Sequence, residues 1–283
     1  MEHVKILANG NRVTNGLVLQ RTSSASAESF TLRFVFGGSE NCTIGRRQLS
    51  VHNDSFIAIN KGTNFSSGIN SDTPVGTFSI SFDEDFLDDF KRSWLGEIDL
   101  DDEAMQNLSE TIYPFKGEMR AIVTQFRDYM ENCTPDNIVI DEYMTRCLLC
   151  YFDIYHEEIF QKAANLNFLH YNTRVEILRR LNLAKEYLYA NYSRNINLEN
   201  LADHACLSVN HLLRTFKLAY NQSPHQFLIQ LRLQRAQSLL AKTEYPIYEI
   251  VNMVGFKCTS SFIRLFRTRY KTTPLKYRNV LAA

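Results

Sequence analysis

The sequence lacks several features that define whole classes of protein. No run of about 18 consecutive apolar residues is present, so a transmembrane helix is not expected. The first residues are not a basic stretch followed by an apolar one, so we expect no secretory signal peptide. Neither a glycine-rich phosphate loop nor a nucleophile-elbow motif occurs. These absences predict a cytoplasmic, globular protein without a membrane partner.

Cysteine and histidine are too sparse to predict a metal site. Of the six cysteines, only Cys147 and Cys150 have the spacing of metal ligands, and a zinc site needs four ligands. No second Cys/His pair has such spacing, so we expect reduced cysteines, no metal and no cofactor.

Acidic residues are scarce near the end of the chain. The formal net charge of the 283 residues is zero, but residues 1–170 carry a net charge of −11 and residues 171–283 a net charge of +11. After Asp203, only Glu244 and Glu249 are acidic. The length favours two domains, and the charge asymmetry predicts that the basic part binds a polyanion.

Residues 1–82 have the pattern of a β-rich domain. Apolar residues alternate in 30–36, 55–59 and 76–82, and turn residues separate these runs, the longest such stretch being 62–74. Short strands at this spacing predict a sandwich or barrel. Alternation places six residues inside it, namely Phe34, Phe36, Ile57, Ile59, Phe78 and Ile80. Whether this apolar interior is a filled core or a small-molecule pocket stays open.

The middle of the chain is predicted to be helical. Residues 83–111 are acidic, which indicates a solvent-exposed helix face or a surface that masks the basic part. Periodicity predicts helices over 115–132 and 138–165, and the second is apolar enough to pack within its own domain alone or also on a second subunit. After a linker at 165–172, Thr173 and Glu176 form a predicted capping box, which begins a helix that ends near Asn191.

Residues 196–283 contain an internal duplication. Four apolar positions between 198 and 207 recur 49 residues later, and seven positions between 212 and 227 recur 50 residues later with the same physical type. Each copy predicts a helix, a tight turn and a second helix. Cys206 and Leu207 form the first turn, and Gly255 and Phe256 the second. Ser208 is the predicted N-cap of the helix that follows the first turn.

The second helix of each copy has a polar or basic outward face. The outward residues are Asn210, Leu213, Arg214 and Lys217 in copy one, and Thr259, Ser260, Ile263, Arg264 and Arg267 in copy two. Such a helix fits the major groove, where Arg can bind guanine and Asn can bind adenine. Flanking cations hold phosphates.

One long helix is predicted between the copies. Ser223 is its N-cap, Pro224 lies in its first turn, Gln226 completes a capping box, and it ends near Ala241. A helix of about 26 Å can hold two recognition helices about 34 Å apart, which is one turn of B-DNA. Both would then enter successive major grooves.

Residues 173–278 resemble the DNA-binding domain of the AraC/XylS family of bacterial transcription regulators. The resemblance is carried by residues 198–202, 208–217, 223–224 and 232–240, and most strongly by residues 250–278 with Gly255, Phe256 and Pro274. It implies seven helices and two helix-turn-helix units. It places base contacts at Asn210, Leu213 and Arg214, then at Thr259, Ser260 and Arg264.

Four positions depart from the family pattern. Leu213 stands where a polar side chain is frequent. Cys258 stands where an Asp N-cap is usual, so Thr259 or Ser260 is expected to cap the helix instead. Asn221 and Thr272 replace glycines after the two recognition helices, and Thr tolerates positive φ poorly.

The resemblance also implies a sensing and dimerising N-terminal domain. We therefore expect an α+β chain, with a cupin-like β-barrel or sandwich and following helices in residues 1–170 and an all-α DNA-binding domain in residues 171–283. The expected function is sequence-specific transcription activation by a homodimer. Its expected partners are double-stranded DNA, RNA polymerase and a small-molecule effector.

Two alternatives stay open. One is a cupin-type enzyme with an appended DNA-binding domain. It is disfavoured because metal cupins need three histidines and a carboxylate, whereas residues 1–155 contain only His3 and His52. We expect His52 to lie at the surface or in a turn. The other alternative is a regulator that senses no small molecule and works through a protein partner.

Overall fold

The computed structural model describes residues 2–95, 110–166, 168 and 170–282. The chain divides into two compact units, Met1–Gln161 and Lys162–Ala283. The first unit combines an antiparallel sheet with helices, and the second is helical. No helix in these ranges is long and apolar enough to cross a membrane.

Eight strands form the sheet of the first unit. They are β1 (Glu2–Ile6), β2 (Arg12–Ser26), β3 (Phe30–Phe36), β4 (Ser39–Ile44), β5 (Arg47–His52), β6 (Ser55–Ile59), β7 (Asn64–Phe82) and β8 (Ile112–Pro114). The spatial order is β1-β2-β7-β3-β6-β8, and β4 pairs with both β5 and β7. The strands predicted at 30–36 and 55–59 are confirmed.

The long strand β7 joins two parts of the sheet. Its residues 64–70 pair with residues 20–26 of β2, and its residues 75–81 pair with residues 12–18, across a register shift. β4 pairs with the first part and β3 with the second. The predicted turn at 62–74 is therefore wrong for most of its length. Ladder hydrogen bonds to two neighbouring strands outweigh the polar, turn-forming composition of this segment.

We expected six apolar residues to lie together inside the barrel, but the strand register places them on opposite faces of the sheet. Directly paired residues share a face of the sheet, and Phe34 pairs with Phe56 and with Phe78. This face is covered by helices, because the Phe78 ring packs on Phe126 at 5.3 Å. Ile57 pairs with Arg33 instead, so it lies on the opposite face.

The same register assigns the remaining apolar residues of that set. Ile80 lies on the helix-covered face, and Phe36 lies there under the guanidinium of Arg127 at 4.7 Å. Ile59 pairs with Thr31 and accompanies Ile57 on the other face. Every residue of β6 is buried because both faces of this strand are covered. Strict alternation does not appear in such a strand.

A buried ion cluster lies on the face of β3 that carries Arg33. The Glu40 side chain is fully buried, and Arg33 donates two hydrogen bonds of 2.7 Å to its oxygens. Arg21 donates a third, also of 2.7 Å. Burial raises the pKa of Glu40, but the charges and hydrogen bonds of Arg33 and Arg21 outweigh it and hold the pKa below its usual value. The interior is therefore not purely apolar.

The helices of the first unit cover the aromatic face of the sheet. They are α1 (Glu84–Leu95), α2 (Gly117–Asn132), α3 (Asn137–Tyr155) and a π-helix (His156–Gln161). The helix predicted over 138–165 therefore changes to π geometry after Tyr155. The acidic segment predicted at 83–111 falls partly on α1, and its residues 96–109 lie outside the described residues. His52 is buried at the end of β5, so its predicted surface position is wrong.

The paired cysteines of α3 are core residues. Cys147 and Cys150 are both buried and free of disulfides. Burial raises the pKa of both thiols, that of Cys150 to about 11. Burial therefore favours the protonated thiol over the thiolate, which is the form that acts as nucleophile and metal ligand.

The second unit consists of one short helix and seven longer ones within its described residues. They are α4 (Lys162–Ala164), α5 (Tyr171–Asn191), α6 (Leu198–His204), α7 (Val209–Tyr220), α8 (Pro224–Lys242), α9 (Ile247–Met253), α10 (Thr259–Tyr270) and α11 (Pro274–Ala282). The helix end near Asn191 is confirmed. Its predicted capping box is wrong, because His170 is the N-cap and Thr173 is already helical. Glu176 accepts a hydrogen bond of 2.8 Å from Arg180 one turn later.

Candidate nucleic-acid interface

The internal duplication is visible in the packing of two aromatic triads. In the first triad, Phe216 lies 4.5 Å from Tyr220 and 5.8 Å from Phe227 between ring centroids. The second triad is Phe266, Tyr270 and Tyr277, and it repeats both distances, 4.5 and 5.8 Å. All three positions are related by 50 residues. Each copy therefore anchors its second helix to the following helix with the same core.

The first helix-turn-helix is fixed by local caps. Ser208 Oγ accepts a hydrogen bond of 3.3 Å from the His211 backbone N–H, which confirms Ser208 as the N-cap of α7. Asn197 caps α6 by accepting from the Asn200 N–H at 2.8 Å. Between the two helices, Cys206 has a φ of 51°, a left-handed conformation that turns the chain.

The second helix-turn-helix turns at a glycine that cannot carry a side chain. Gly255 has a φ of +85°, and a Cβ there would lie 2.5 Å from the Ser193 carbonyl oxygen. The Phe256 N–H donates to the Val251 oxygen at 3.0 Å, which closes the turn. Glycine is therefore required by its conformation and by the close approach of the backbone before α6.

The start of α10 differs from our expectation. Cys258 occupies the N-cap position with no side-chain cap bond, and Thr259 is the first helical residue. Neither Thr259 nor Ser260 is the N-cap, so that prediction is wrong. Hydrogen bonds from Ser260 and Ser261 lower the pKa of the exposed Cys258 thiol to about 7.

The residue expected to be left-handed after α10 was also wrong. Asn221 has a φ of 54° and Lys271 a φ of 59°, so the left-handed residue after α10 is Lys271, not Thr272. The two positions are again 50 residues apart. Both helices end in the same way because each left-handed residue directs the chain into the next helix, whose N-cap is Ser223 or Thr273.

The long connecting helix α8 is held by its own capping box and by an arginine clamp. Ser223 Oγ accepts from the Gln226 N–H at 3.2 Å, and Gln226 Oε1 accepts from the Ser223 N–H at 2.8 Å. The predicted capping box is thus confirmed. Arg232 donates to the carbonyl oxygens of Tyr192 and Arg194 at 2.7 and 2.8 Å, which ties α8 to the end of α5.

The polar faces of α7 and α10 point to solvent. The exposed members are Asn210, Arg214, Lys217, Thr259, Ser260, Ile263, Arg264 and Arg267, while Leu213 is half-buried. On the inner side, Leu212, Phe216, Phe262 and Phe266 are fully buried. Each helix therefore presents one polar or basic stripe outward while its apolar stripe holds it in the domain.

On α10 the exposed face is a shallow depression that continues past the residues found from sequence. Ser260, Ile263, Arg264, Arg267, Thr268, Lys271 and Thr273 line it. Sequence reasoning missed Thr268, Lys271 and Thr273. The spacing contained the signal for two of them, since Thr268 and Lys271 each lie four residues after an arginine of the face. These three residues add one cation and two hydroxyls to the face, and such groups bind phosphate oxygens.

Comparison with known proteins places the similarity in this part of the chain. Residues 201–279 match a family model described as a helix-turn-helix domain. The raffinose operon transcriptional regulatory protein RafR of Pediococcus pentosaceus is 34% identical over 107 residues, which cover 38% of this chain and 39% of RafR. The Msm operon regulatory protein of Streptococcus mutans is 29% identical over 98 residues, 35% of each protein. The chain thus spans less than two fifths of the length of these curated relatives.

Two solved structures resemble about a third of this chain. One is the C-terminal domain of the two-component response regulator yesN from Fusobacterium nucleatum, which is 32% identical with a TM-score of 0.33. The alignment covers 34% of this chain and 94% of the yesN domain. The other is a probable AraC family transcriptional regulator from Rhodopseudomonas palustris, which is 25% identical with a TM-score of 0.35. The alignment covers 36% of this chain and 96% of that regulator.

Proposed function

We propose that the chain is a transcription regulator of the AraC/XylS family that binds specific sites in double-stranded DNA. The observation that carries the proposal is the pair of equivalent polar and basic faces on α7 and α10. Each face is exposed, is anchored by the same aromatic triad and has cations that suit a nucleic acid.

The two faces divide into groups for bases and groups for phosphates. In the proposed complex, Asn210, Leu213 and Arg214 of α7 contact base edges in one major groove. Thr259, Ser260 and Arg264 of α10 contact base edges in another, and Lys217 and Arg267 hold phosphates. Arginine binds guanine through two parallel hydrogen bonds, and asparagine binds adenine in the same way.

The connecting helix supports a two-groove arrangement. Helix α8 has 19 residues, which corresponds to about 28 Å at about 1.5 Å per residue. The capping box fixes its start, and the hydrogen bonds of Arg232 hold its middle, so α8 is a stiff connection. We propose that it positions α7 and α10 for successive major grooves, about 34 Å apart on B-DNA.

The remaining parts of the proposal concern residues 1–170 and the partners. We assign sensing and homodimer formation to residues 1–170, and DNA binding to residues 171–283. The protein acts in the cytoplasm as an activator that contacts RNA polymerase and responds to a small-molecule effector. We assign it the role of a regulator and not of an enzyme, and two operon regulatory proteins among its relatives support this assignment.

Selection of genomic DNA fragments by the purified full chain tests the function directly. At about 0.15 M salt, where non-specific binding is weakened, we expect enrichment of one motif with two half-sites about 10 base pairs apart. Fragments without a shared motif, or binding that is equal for all sequences, would contradict sequence-specific regulation.

The substitution Arg264→Ala tests the assignment of base contacts. It should weaken binding to the selected site by about 1–3 kcal/mol, because the bidentate contact to guanine is lost, while binding to random DNA changes less. Equilibrium titration at fixed salt measures both affinities. Arg269→Ala removes an exposed charge from the same helix outside the depression and should weaken both equally. If Arg264→Ala and Arg269→Ala weaken binding to the selected site and to random DNA by the same amounts, Arg264 contacts phosphate and not a base.

A further inference from the structure

The faces of α7 and α10 correspond residue by residue, and each contains one aliphatic side chain among polar ones. The pairs related by 50 residues are Asn210 and Ser260, Leu213 and Ile263, Arg214 and Arg264, and Lys217 and Arg267. In both helices the aliphatic residue directly precedes the arginine and lies one turn before the second cation. The order is therefore small polar, aliphatic, arginine, cation in both copies.

Neither aliphatic side chain is fully buried in the core. Ile263 is 37% exposed and Leu213 is half-buried, whereas their neighbours Phe262 and Leu212 are fully buried. Ile263 lies in the surface depression beside Arg264 and Arg267. A branched apolar group exposed between cations is poorly hydrated, so it gains free energy when an apolar group of a bound molecule covers it.

The major groove offers one such apolar group. Its edges present hydrogen-bond donors and acceptors at every base pair, and thymine adds the C5-methyl group. An aliphatic side chain beside a base-contacting arginine is placed to pack on that methyl. The cations around it favour DNA over an apolar protein segment as the occupant.

We propose that Leu213 and Ile263 are specificity-determining residues, each packing on the 5-methyl group of one thymine in the half-site that its helix contacts. This inference rests on the proposed function, since it requires both helices to enter major grooves. The inference identifies one base in each half-site as thymine. Loss of one buried methyl contact should lower affinity about fourfold.

Deoxyuridine is the matched probe, because it keeps the base pairing and every hydrogen-bonding group of thymine and removes only the methyl. The full chain is titrated at about 0.15 M salt against its selected site, with each thymine replaced in turn. We expect one position in each half-site where the replacement lowers affinity about fourfold. Ile263→Ala should abolish the effect at one of these positions and Leu213→Ala at the other, whereas Arg264→Ala should abolish neither.

The outcomes separate this inference from the function it rests on. If the protein binds its site specifically but no deoxyuridine replacement lowers affinity, the inference is wrong and the proposed function stands. Methyl effects that persist in both alanine variants would assign the contacts to other residues and overturn it. If no site is selected at all, the proposed function fails and the inference with it. Because Leu213 is half-buried, Leu213→Val is the second variant, and circular dichroism checks that both variants fold.

Discussion

Substitution of Glu40 by glutamine should lower the free energy of unfolding by about 3–5 kcal/mol, the cost of removing one partner from a buried ion pair. Glu40 is fully buried and accepts three hydrogen bonds of 2.7 Å from Arg33 and Arg21. Both arginine side chains are largely buried as well, with 13% and 17% of their surface exposed. A neutral amide leaves both charges with weaker stabilisation in a site that water reaches poorly.

A surface ion pair provides the control for this experiment. Glu28 pairs with Arg12 at 3.2 Å, but its side chain is 79% exposed. Glu28→Gln should therefore change stability by about 1 kcal/mol or less. Urea unfolding of the full chain, followed by circular dichroism, measures both variants. A Glu40→Gln effect as small as that of Glu28→Gln would show that the buried cluster does not stabilise the sheet.

The lowered pKa of Glu40 makes the free energy of unfolding depend on pH. Because the folded protein holds the pKa of Glu40 below its ordinary value of 4.5, the stability it contributes is fully present above that value. It is lost as the pH falls from there through the pKa of the folded state. The stability difference between the wild type and Glu40→Gln should thus be constant near neutral pH and should shrink in acid.

The substitution Gly255→Ala should lower the stability of the second unit by about 2–5 kcal/mol. The left-handed conformation costs a residue with a Cβ about 1–2 kcal/mol. The new methyl would also lie 2.5 Å from the Ser193 carbonyl oxygen, and such overpacking costs about 1–3 kcal/mol. Because this turn orients α10, the variant should also bind the selected DNA site more weakly. Thermal unfolding and DNA titration measure the two effects.

A second glycine separates conformational strain from the steric clash. Gly62 has a φ of +81°, but a Cβ there would have no neighbour within 4 Å. Gly62→Ala should therefore carry only the cost of the left-handed conformation, about 1–2 kcal/mol, and should leave DNA affinity unchanged. If both variants lose the same stability, the close approach of Ser193 to Gly255 contributes nothing.

Local signals account for the parts of the fold and the candidate site that were predictable. The N-cap Ser208 and the capping box of Ser223 and Gln226 each involve residues three positions apart. The 50-residue repeat shows which face of α10 corresponds to which face of α7. A helix orders neighbouring residues by itself, so its faces can be predicted from spacing alone.

The wrong predictions in the helical part concern helix ends, where several neighbouring residues have similar properties. Thr173, Thr259 and Ser260 all have good capping side chains, but the helices begin earlier, after His170 and Cys258. Lys271 adopts the left-handed conformation, although Thr272 was the expected position. Helix ends depend on how the flanking chain packs, which sequence spacing does not contain.

Local sequence signals alone were sufficient to predict the duplicated helix-turn-helix units, the caps at Ser208 and at Ser223 with Gln226, and the polar or basic faces. These features depend on contacts within a few residues or on the internal repeat. The interior of the sheet could not be predicted in this way, because it depends on how the strands pair. Pairing register separates Phe34 from Ile57, and it brings Arg21, Arg33 and Glu40 together from three different strands. A shift of one residue in strand pairing reverses every side chain, so these contacts follow from the register of distant strands.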